Sequence, residues 1–144
     1  MTHPSDARAY FFKIDTTIKK IRNALQKRFT DAGSDLTVDQ WVVIDHLHRN
    51  PAIAQNALAD LTAKDAPTVT RIIDLLVKKG LAERRMADDD RRKFLVSLTP
   101  DGEQVYEQLL PAVIDIRRQG WGTLSDEDYT HFVRIMDEIY GNFN

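Results

Sequence analysis

Apolar residues recur at intervals of three or four along the first thirty positions of the chain, and this spacing predicts one long helix. We expect the helix to begin near Ser5 or Asp6 and to end before Gly33, because glycine commonly follows the last helical turn. The apolar stripe consists of Phe11, Ile14, Ile18, Ile21, Leu25 and Phe29. Such a stripe is compatible with an ordinary core-facing helix and with a dimer seam, and the spacing alone does not separate the two.

Three shorter helices are predicted next. Thr37 and Gln40 form a capping box that begins the second helix. A third helix near 54–61 is followed by a tight turn and by Asp65, which is expected to cap a fourth helix ending at Gly80. The buried face of the fourth helix is predicted to consist of Val69, Ile72, Ile73, Leu76 and Val77. This segment therefore has the form of two helices joined by a turn.

Beyond the fourth helix the apolar pattern changes from helical to alternating. Two strands are predicted at 81–86 and 93–99, joined by a polar and highly charged tip at 87–92. Helical spacing returns after Thr99, and a last helix begins at Ser125. The fold class that follows is mainly α, with one small two-stranded β-hairpin.

The composition places few restrictions on function but excludes several kinds of chemistry. A chain of 144 residues with 42% apolar residues is long enough to form one core without disulfides or a metal. Cysteine is absent, which excludes disulfides, thiolate metal sites and thiol-based redox sensing. No apolar stretch approaches the roughly 20 residues of a membrane helix, and the first residues do not resemble a signal peptide. We therefore expect a cytoplasmic protein with no membrane partner.

Charge is unevenly distributed along the chain, although the net charge is only −2. Residues 64–93 contain nine Lys/Arg and six Asp/Glu, a net of +3, whereas residues 94–144 contain three and nine, a net of −6. Residues 1–63 have a net of +1. A basic middle segment is the electrostatic pattern expected of a nucleic-acid contact, and an acidic segment would be repelled by phosphate.

The start of the fourth helix offers small polar and cationic residues to a partner. Lys64 precedes the helix, Pro67 and Thr68 lie in its first turn, and Thr70 and Arg71 follow. Threonine can bond base edges, arginine can bond guanine or phosphate, and the helix N-terminus itself attracts phosphate. A solvated, normally capped helix start would contain the same residue types, so this helix alone does not decide between the two interpretations.

The tip of the hairpin adds a second candidate contact. Asp90, Arg91 and Arg92 lie in its most charged stretch. A narrow minor groove attracts an inserted arginine, and an adjacent carboxylate can orient that arginine in advance. A solvated charged turn is the alternative for the tip alone. A helix-turn-helix followed directly by a basic hairpin favours DNA binding more strongly than either element does.

Several segments resemble the MarR family of winged helix-turn-helix regulators. The resemblance is carried by residues 57–61, 67–73, 76–84, 90–92 and 95–102, which read ALADL, PTVTRII, LVKKGLAER, DRR and LVSLTPDG. The Asp-x-Arg followed by Leu-Thr-x-x-Gly is the most specific part. The order of the elements also matches, so the resemblance extends over nearly the whole chain.

The resemblance implies a homodimer with three segments in each chain. Residues 1–36 would form an N-terminal dimerisation helix, 37–99 the winged helix-turn-helix domain, and 100–144 the C-terminal dimerisation helices. The fourth helix would read the major groove of double-stranded DNA, while Arg92 would reach the minor groove and Asp90 would hold it in place. Family members usually repress transcription from an inverted repeat, and many release DNA when a small aromatic or phenolic anion binds.

Effector-binding residues are less well defined by the sequence than the DNA-binding ones. Phe11, Phe12, Trp41 and His46 lie near the position of the family's pocket. A tryptophan at helical spacing is more often part of a core than of a ligand site. His46 and His48 are about 200° apart around a helix and do not readily share a metal, so no metal site is expected.

Other classes of function find less support. The chain has no glycine-rich phosphate loop, no metal-ligand spacing and no nucleophile motif, so we expect neither an enzyme nor a bound cofactor. A winged helix whose partner is a protein, with only non-specific DNA affinity, is the alternative. The basic hairpin disfavours that alternative, because an unpaired cationic tip adds little to a protein interface. A DNA-bound regulator would also be associated with the nucleoid.

Overall fold

The computed structural model describes residues 8–144 and confirms a mainly helical fold. Within that range the chain forms six helices and three strands. In chain order these are α1 (Arg8–Asp31), α2 (Val38–Arg49), β1 (Ile53–Ala54), α3 (Gln55–Thr62), α4 (Ala66–Lys78), β2 (Ala82–Met86), β3 (Phe94–Leu98), α5 (Pro100–Trp121) and α6 (Asp126–Gly141). The expected start of the first helix, near Ser5 or Asp6, lies outside the described residues.

The helix starts are the features that the sequence predicted best. Thr37 and Gln40 form the expected capping box, with the Gln40 backbone N–H donating to Thr37 Oγ1 at 3.1 Å and the Thr37 N–H donating to Gln40 Oε1 at 3.1 Å. Asp65 caps α4 by accepting the Thr68 N–H at 2.8 Å. Ser125 begins α6 in the same way. Each cap satisfies N–H groups that have no partner within the helix.

The sheet has three strands rather than the two expected. Strands β2 and β3 form the predicted antiparallel hairpin, in which Ala82 pairs with Leu98 and Met86 with Phe94. Strand β1 adds to the other edge of β3, so that Ile53 lies opposite Val96. With two residues, β1 is too short to show an alternating pattern, and for this reason sequence reasoning missed it.

The core lies where α2, α3, α4, β3 and α5 meet. The largest completely covered side chains are Phe29, Leu36, Val43, Ile44, Leu47, Leu58, Val69, Ile73, Leu76 and Val96. The prediction that Val77 is buried is wrong, since 37% of it is exposed. At about 100° per residue, Val77 lies roughly 90° from the centre of the stripe formed by the four buried residues of α4.

The apolar stripe of α1 divides into two parts. Leu25 and Phe29 are buried against the rest of the chain, and Arg28 forms an ion pair with Asp115 of α5 at 2.9 Å. The earlier residues of the stripe, Phe11, Ile14, Ile18 and Ile21, are exposed. Helix α6 has no buried residue although its apolar residues follow helical spacing. Both end helices therefore carry an apolar face that their own chain does not cover.

None of the helices between residues 8 and 144 is both long enough and apolar enough to cross a lipid bilayer.

Candidate nucleic-acid interface

Helices α3 and α4 are joined by a turn whose backbone sets the position of the second helix. Ala63 adopts a left-handed conformation with φ of 53° at the end of α3, and Asp65 caps α4 two residues later. The Asp65 carboxyl accepts hydrogen bonds from Thr68, and these hold its pKa below the ordinary value. The bond from the Thr68 backbone N–H has the largest effect. The carboxylate thus stays charged at the positive end of the helix dipole, where it is favoured.

The predicted contact residues of α4 differ in how available they are. Pro67 and Arg71 are exposed, whereas Thr68 and Thr70 are half-buried. The Thr70 hydroxyl accepts a hydrogen bond from Gln55 Nε2 at 3.0 Å. Arg71 therefore extends from the surface, while Thr70 already has a partner on α3.

The tip of the β2–β3 hairpin places an arginine beside a carboxylate, as the sequence predicted. The backbone N–H of Arg92 donates to Asp90 Oδ1 at 2.9 Å, and the same oxygen lies 4.0 Å from Arg92 Nε. The Arg92 side chain is 96% exposed, and Arg91 is exposed as well. Asp90 thus organises the backbone of the tip and lies within ion-pair distance of an arginine that extends into solvent.

A cleft of about 430 Å³ separates the start of α4 from the hairpin. It brings together Thr70 from α4 with Asp90 and Arg92 from the tip. Its remaining lining residues are Gln55, Asn56, Ala66, Lys93 and Phe94. The two elements that the sequence proposed separately as DNA contacts therefore border one cleft.

Arg84 connects the hairpin to α4, and sequence reasoning missed it. Its Nε donates to Gln55 Oε1 at 2.9 Å, and its Nη2 lies 2.5 Å from Asp74 Oδ1 and 3.4 Å from the Thr70 carbonyl oxygen. Arg84 is opposite Val96 in the strand register. Its partners are 10 to 29 residues away in sequence and belong to α3 and α4, so no local pattern marks the contact.

Lys64 does not occupy the exposed position that the sequence analysis assumed. Its ammonium donates to Asp39 Oδ1 at 2.8 Å, and its side chain is only 19% exposed. Asp39 also accepts a hydrogen bond from Arg22 at 2.5 Å. The hydrogen bond from Lys64 is the main reason why the pKa of the Asp39 carboxyl is lowered, and the bond from Arg22 adds to it. Partial burial raises the same pKa but does not outweigh the two bonds. This attraction to Asp39 explains why the lysine turns away from solvent.

The four predicted effector residues differ in their exposure within this chain. Trp41 is 3% exposed, its ring stacks on Tyr106 with centroids 5.1 Å apart, and it packs against Phe29 at 5.8 Å. Trp41 is therefore part of the core, and its contact with an effector stays a prediction. Phe11 and Phe12 are exposed on α1, and His46 is half-buried on α2. Among the described residues, no aromatic pair joins these side chains to one another.

A larger cleft of about 530 Å³ lies on another part of the chain, and it includes none of the predicted effector residues. Apolar side chains of Leu36, Leu81, Val105 and Leu109 line it, and Lys79 at its edge pairs with the neighbouring Asp35 at 3.0 Å. Across residues 8–144, no group of three or more His, Cys, Asp or Glu side chains could hold a metal ion.

A helix-turn-helix followed by a β-hairpin defines the winged-helix class of proteins, and the order of elements here is of that class. A model of the MarR family matches residues 34–93. YwoH of Bacillus subtilis, described as an uncharacterized HTH-type transcriptional regulator, is 31% identical over 99 residues, which cover 67% of this chain and 72% of that protein. The chain belongs to the MarR family, whose members are transcriptional regulators rather than enzymes.

Solved structures agree with this assignment. A probable transcriptional regulator from Pseudomonas aeruginosa is 31% identical, with a TM-score of 0.70 over 88% of this chain and 96% of that one. BpsR of Bordetella bronchiseptica, whose DNA binding is regulated by 6-hydroxynicotinic acid, is 26% identical, with a TM-score of 0.83 over 97% of each chain. Among sequence relatives, a putative transcriptional regulatory protein for the hcr operon of Thauera aromatica is 28% identical over 105 residues. The matched residues cover 73% of this chain and 63% of that protein.

Proposed function

We propose that the protein is a homodimeric repressor that binds an inverted-repeat operator in double-stranded DNA and releases it when a small aromatic or phenolic molecule binds. The observation that carries the proposal is the cleft at which the start of α4 meets the hairpin tip. On that cleft lies Arg92, whose side chain is 96% exposed. A cation with that exposure is available to a polyanion.

Recognition of base edges is assigned to the start of α4. Pro67 and Thr68 would lie at the groove edge, and Arg71 would bond a guanine or a phosphate in the major groove. Thr70 would contribute its methyl group, because its hydroxyl already accepts from Gln55. The positive end of the α4 dipole adds attraction for phosphate.

The hairpin is assigned to the minor groove. Arg92 would enter the groove, where a narrow A·T-rich segment concentrates negative potential. Asp90 would orient Arg92 before binding, since the Asp90 carboxylate already accepts the backbone N–H of Arg92. Arg91 would contact the flanking phosphates.

Dimerisation is assigned to the two ends of the chain. We divide the chain into an N-terminal dimerisation helix (1–36), a winged helix-turn-helix domain (37–99) and C-terminal dimerisation helices (100–144). The uncovered apolar faces of α1 and α6 support this division, because a second copy would remove them from water. The acidic charge of residues 94–144 would then lie away from DNA, and the regulator would act in the cytoplasm, on the nucleoid.

An aromatic or phenolic effector is supported by the regulation of BpsR by 6-hydroxynicotinic acid. Phe11, Phe12 and His46 remain the proposed contacts, and Trp41, packed against Phe29 and Tyr106, is the least exposed of the four predicted residues. Phe11 and Phe12 are 72% and 55% exposed within one chain, so the site would be completed only when the partner chain covers α1. Such a site would connect effector binding to the arrangement of the dimer.

The test begins with selection of genomic fragments by the purified protein at near-physiological salt. We expect enrichment of one inverted repeat with half-sites about one helical turn apart. Arg71→Ala and Arg92→Ala should each weaken binding to that repeat by about 1–3 kcal/mol, roughly 5- to 150-fold. Arg49→Ala removes the same charge from the exposed face of α2, outside the assigned contacts, and should leave affinity unchanged.

Two results would contradict the proposal. Unchanged affinity in both arginine variants would remove the assigned interface. If the protein retained all DNA sequences equally and lost them as the salt concentration was raised, only non-specific electrostatic attraction would remain. That second outcome would favour a winged helix that binds another protein.

A further inference from the structure

Asp39 and two cations, each on a different segment of the chain, form one cluster of charged side chains. Asp39 lies in the first turn of α2, Arg22 reaches it from α1, and Lys64 reaches it from the turn between α3 and α4. Both cations bind the same oxygen, Oδ1, at 2.5 Å for Arg22 Nη2 and 2.8 Å for Lys64 Nζ. One carboxylate therefore connects the N-terminal helix to the helix-turn-helix.

The location of Lys64 makes this connection relevant to DNA binding. Lys64 directly precedes Asp65, the residue that caps α4. Its side chain is 19% exposed, whereas that of Arg92 is 96% exposed. The Lys64 ammonium is directed to Asp39, which Arg22 also holds in place, so that little of the lysine is presented to a phosphate.

We infer that Asp39 and Lys64 are positioning residues, and that Lys64 acts on DNA binding through Asp39 rather than by touching phosphate. The ion pair fixes the turn before α4 relative to α2 and, through Arg22, relative to α1. This inference rests on the proposed function, because it concerns how α4 is presented to an operator. It reassigns Lys64, which the sequence alone placed among the DNA contacts.

The energetics favour a role in orientation over one in bulk stability. Asp39 is half exposed, at 47%, and such a pair contributes little to the free energy of unfolding. The pair nevertheless adds a restraint to a turn that backbone hydrogen bonds and the Asp65 cap also hold. Loss of the pair would widen the range of α4 orientations, and fewer molecules would be ready to bind at any moment.

The test is a double-mutant cycle of Lys64→Met and Asp39→Asn, with operator affinity measured over a range of salt concentrations. We expect Lys64→Met to lose about three- to tenfold in affinity and Asp39→Asn to lose at least as much, because Asp39 also binds Arg22. The double variant should lose no more than Asp39→Asn, because that change already removes the contact with Lys64. The slope of log affinity against log salt should stay at the wild-type value for Lys64→Met. Lys64→Arg should restore most of the affinity, since it keeps the cation. Thermal unfolding of each variant should follow that of the wild type.

The control is Arg49→Met. Arg49 pairs with Asp45 on the same helix at 3.3 Å, so its removal costs the same charge without separating two elements. It should leave affinity and salt slope unchanged.

Two results would overturn the inference. A salt slope reduced by about one per protomer in Lys64→Met would show a direct phosphate contact. Additive losses in the double variant would show that the two residues act separately. Both results can be observed only if the wild-type protein binds an operator. If the proposed function is wrong, the selection experiment with the wild type yields no operator at all.

Discussion

The middle of the chain and its two ends use the same apolar spacing to different effect. Between residues 37 and 99 most of the predicted apolar residues are buried by their own chain, as Ile44, Ile73 and Val96 illustrate. In α1 and α6, Ile18 and Ile135 follow equally regular helical spacing and are 47% and 46% exposed. Periodicity thus identifies the apolar side of an element but does not say which chain covers it.

The charge distribution separates the middle of the chain from its C-terminal end. The basic residues at 64–93 include the exposed cations of α4 and the hairpin, while the acidic residues at 94–144 lie mostly on α5 and α6. A surface that is both apolar and acidic is suited to another protein surface rather than to phosphate. The comparison therefore predicts that changes at the ends act through assembly, whereas changes in the middle act through folding.

The largest expected effect comes from placing a charge on the uncovered face of α6. Ile135→Glu would leave an unpaired carboxylate in the proposed dimer contact, at a cost of about 3–5 kcal/mol. We expect sedimentation to give the mass of a single chain, and operator affinity to fall by at least about 100-fold, since one chain binds only one half-site. A variant that remains dimeric with full affinity would contradict the assignment of α6 to the contact.

A smaller effect is expected from shortening a core residue in the middle. Ile73 is 0% exposed, and Ile73→Ala should lower the free energy of unfolding by about 2–5 kcal/mol. The matched change at the end, Ile135→Ala, should instead lower the midpoint of unfolding only at protein concentrations at which the wild type is dimeric. Chemical denaturation at several concentrations distinguishes the two. Equal behaviour of both variants would remove the distinction between the regions.

The parts of the fold that sequence predicted well are those decided by neighbouring residues. The Thr37 and Asp65 caps each involve residues three positions apart, and both formed as expected. Strand β1 was missed because its pairing with β3 joins residues more than 40 positions apart and covers only two of them. Val77 was placed wrongly because the edge of a buried stripe depends on what packs against it.

The candidate site divides in the same way. The relation of Asp90 to Arg92 spans two residues and was predictable from the Asp-x-Arg spacing. The contact between Arg84 and Asp74 joins a strand to a helix, and the contact between Lys64 and Asp39 spans 25 residues. For these long-range pairs the sequence shows only charges, and the fold decides which of them meet.

The smallest expected effect compares two glycines of α5, one beside the hairpin and one at the far end. A Cβ on Gly102 would lie 2.0 Å from the Leu81 carbonyl oxygen, and this oxygen also accepts the Thr99 N–H at 3.1 Å. Gly102→Ala must move backbone on one side or the other, which typically costs about 1–3 kcal/mol. We expect a lower unfolding midpoint and weaker operator binding, because the base of the hairpin would shift.

Gly120→Ala is the matched control for this prediction. Apart from the adjoining turns of α5 itself, none of the residues between 8 and 144 lies within 4 Å of a Cβ at Gly120. Alanine favours the helix by about 0.5–1 kcal/mol. The variant should therefore raise the unfolding midpoint slightly and leave DNA binding unchanged. If Gly120→Ala lowered stability instead, a second chain would have to approach this end of α5 closely, and that would extend the dimer contact beyond α1 and α6.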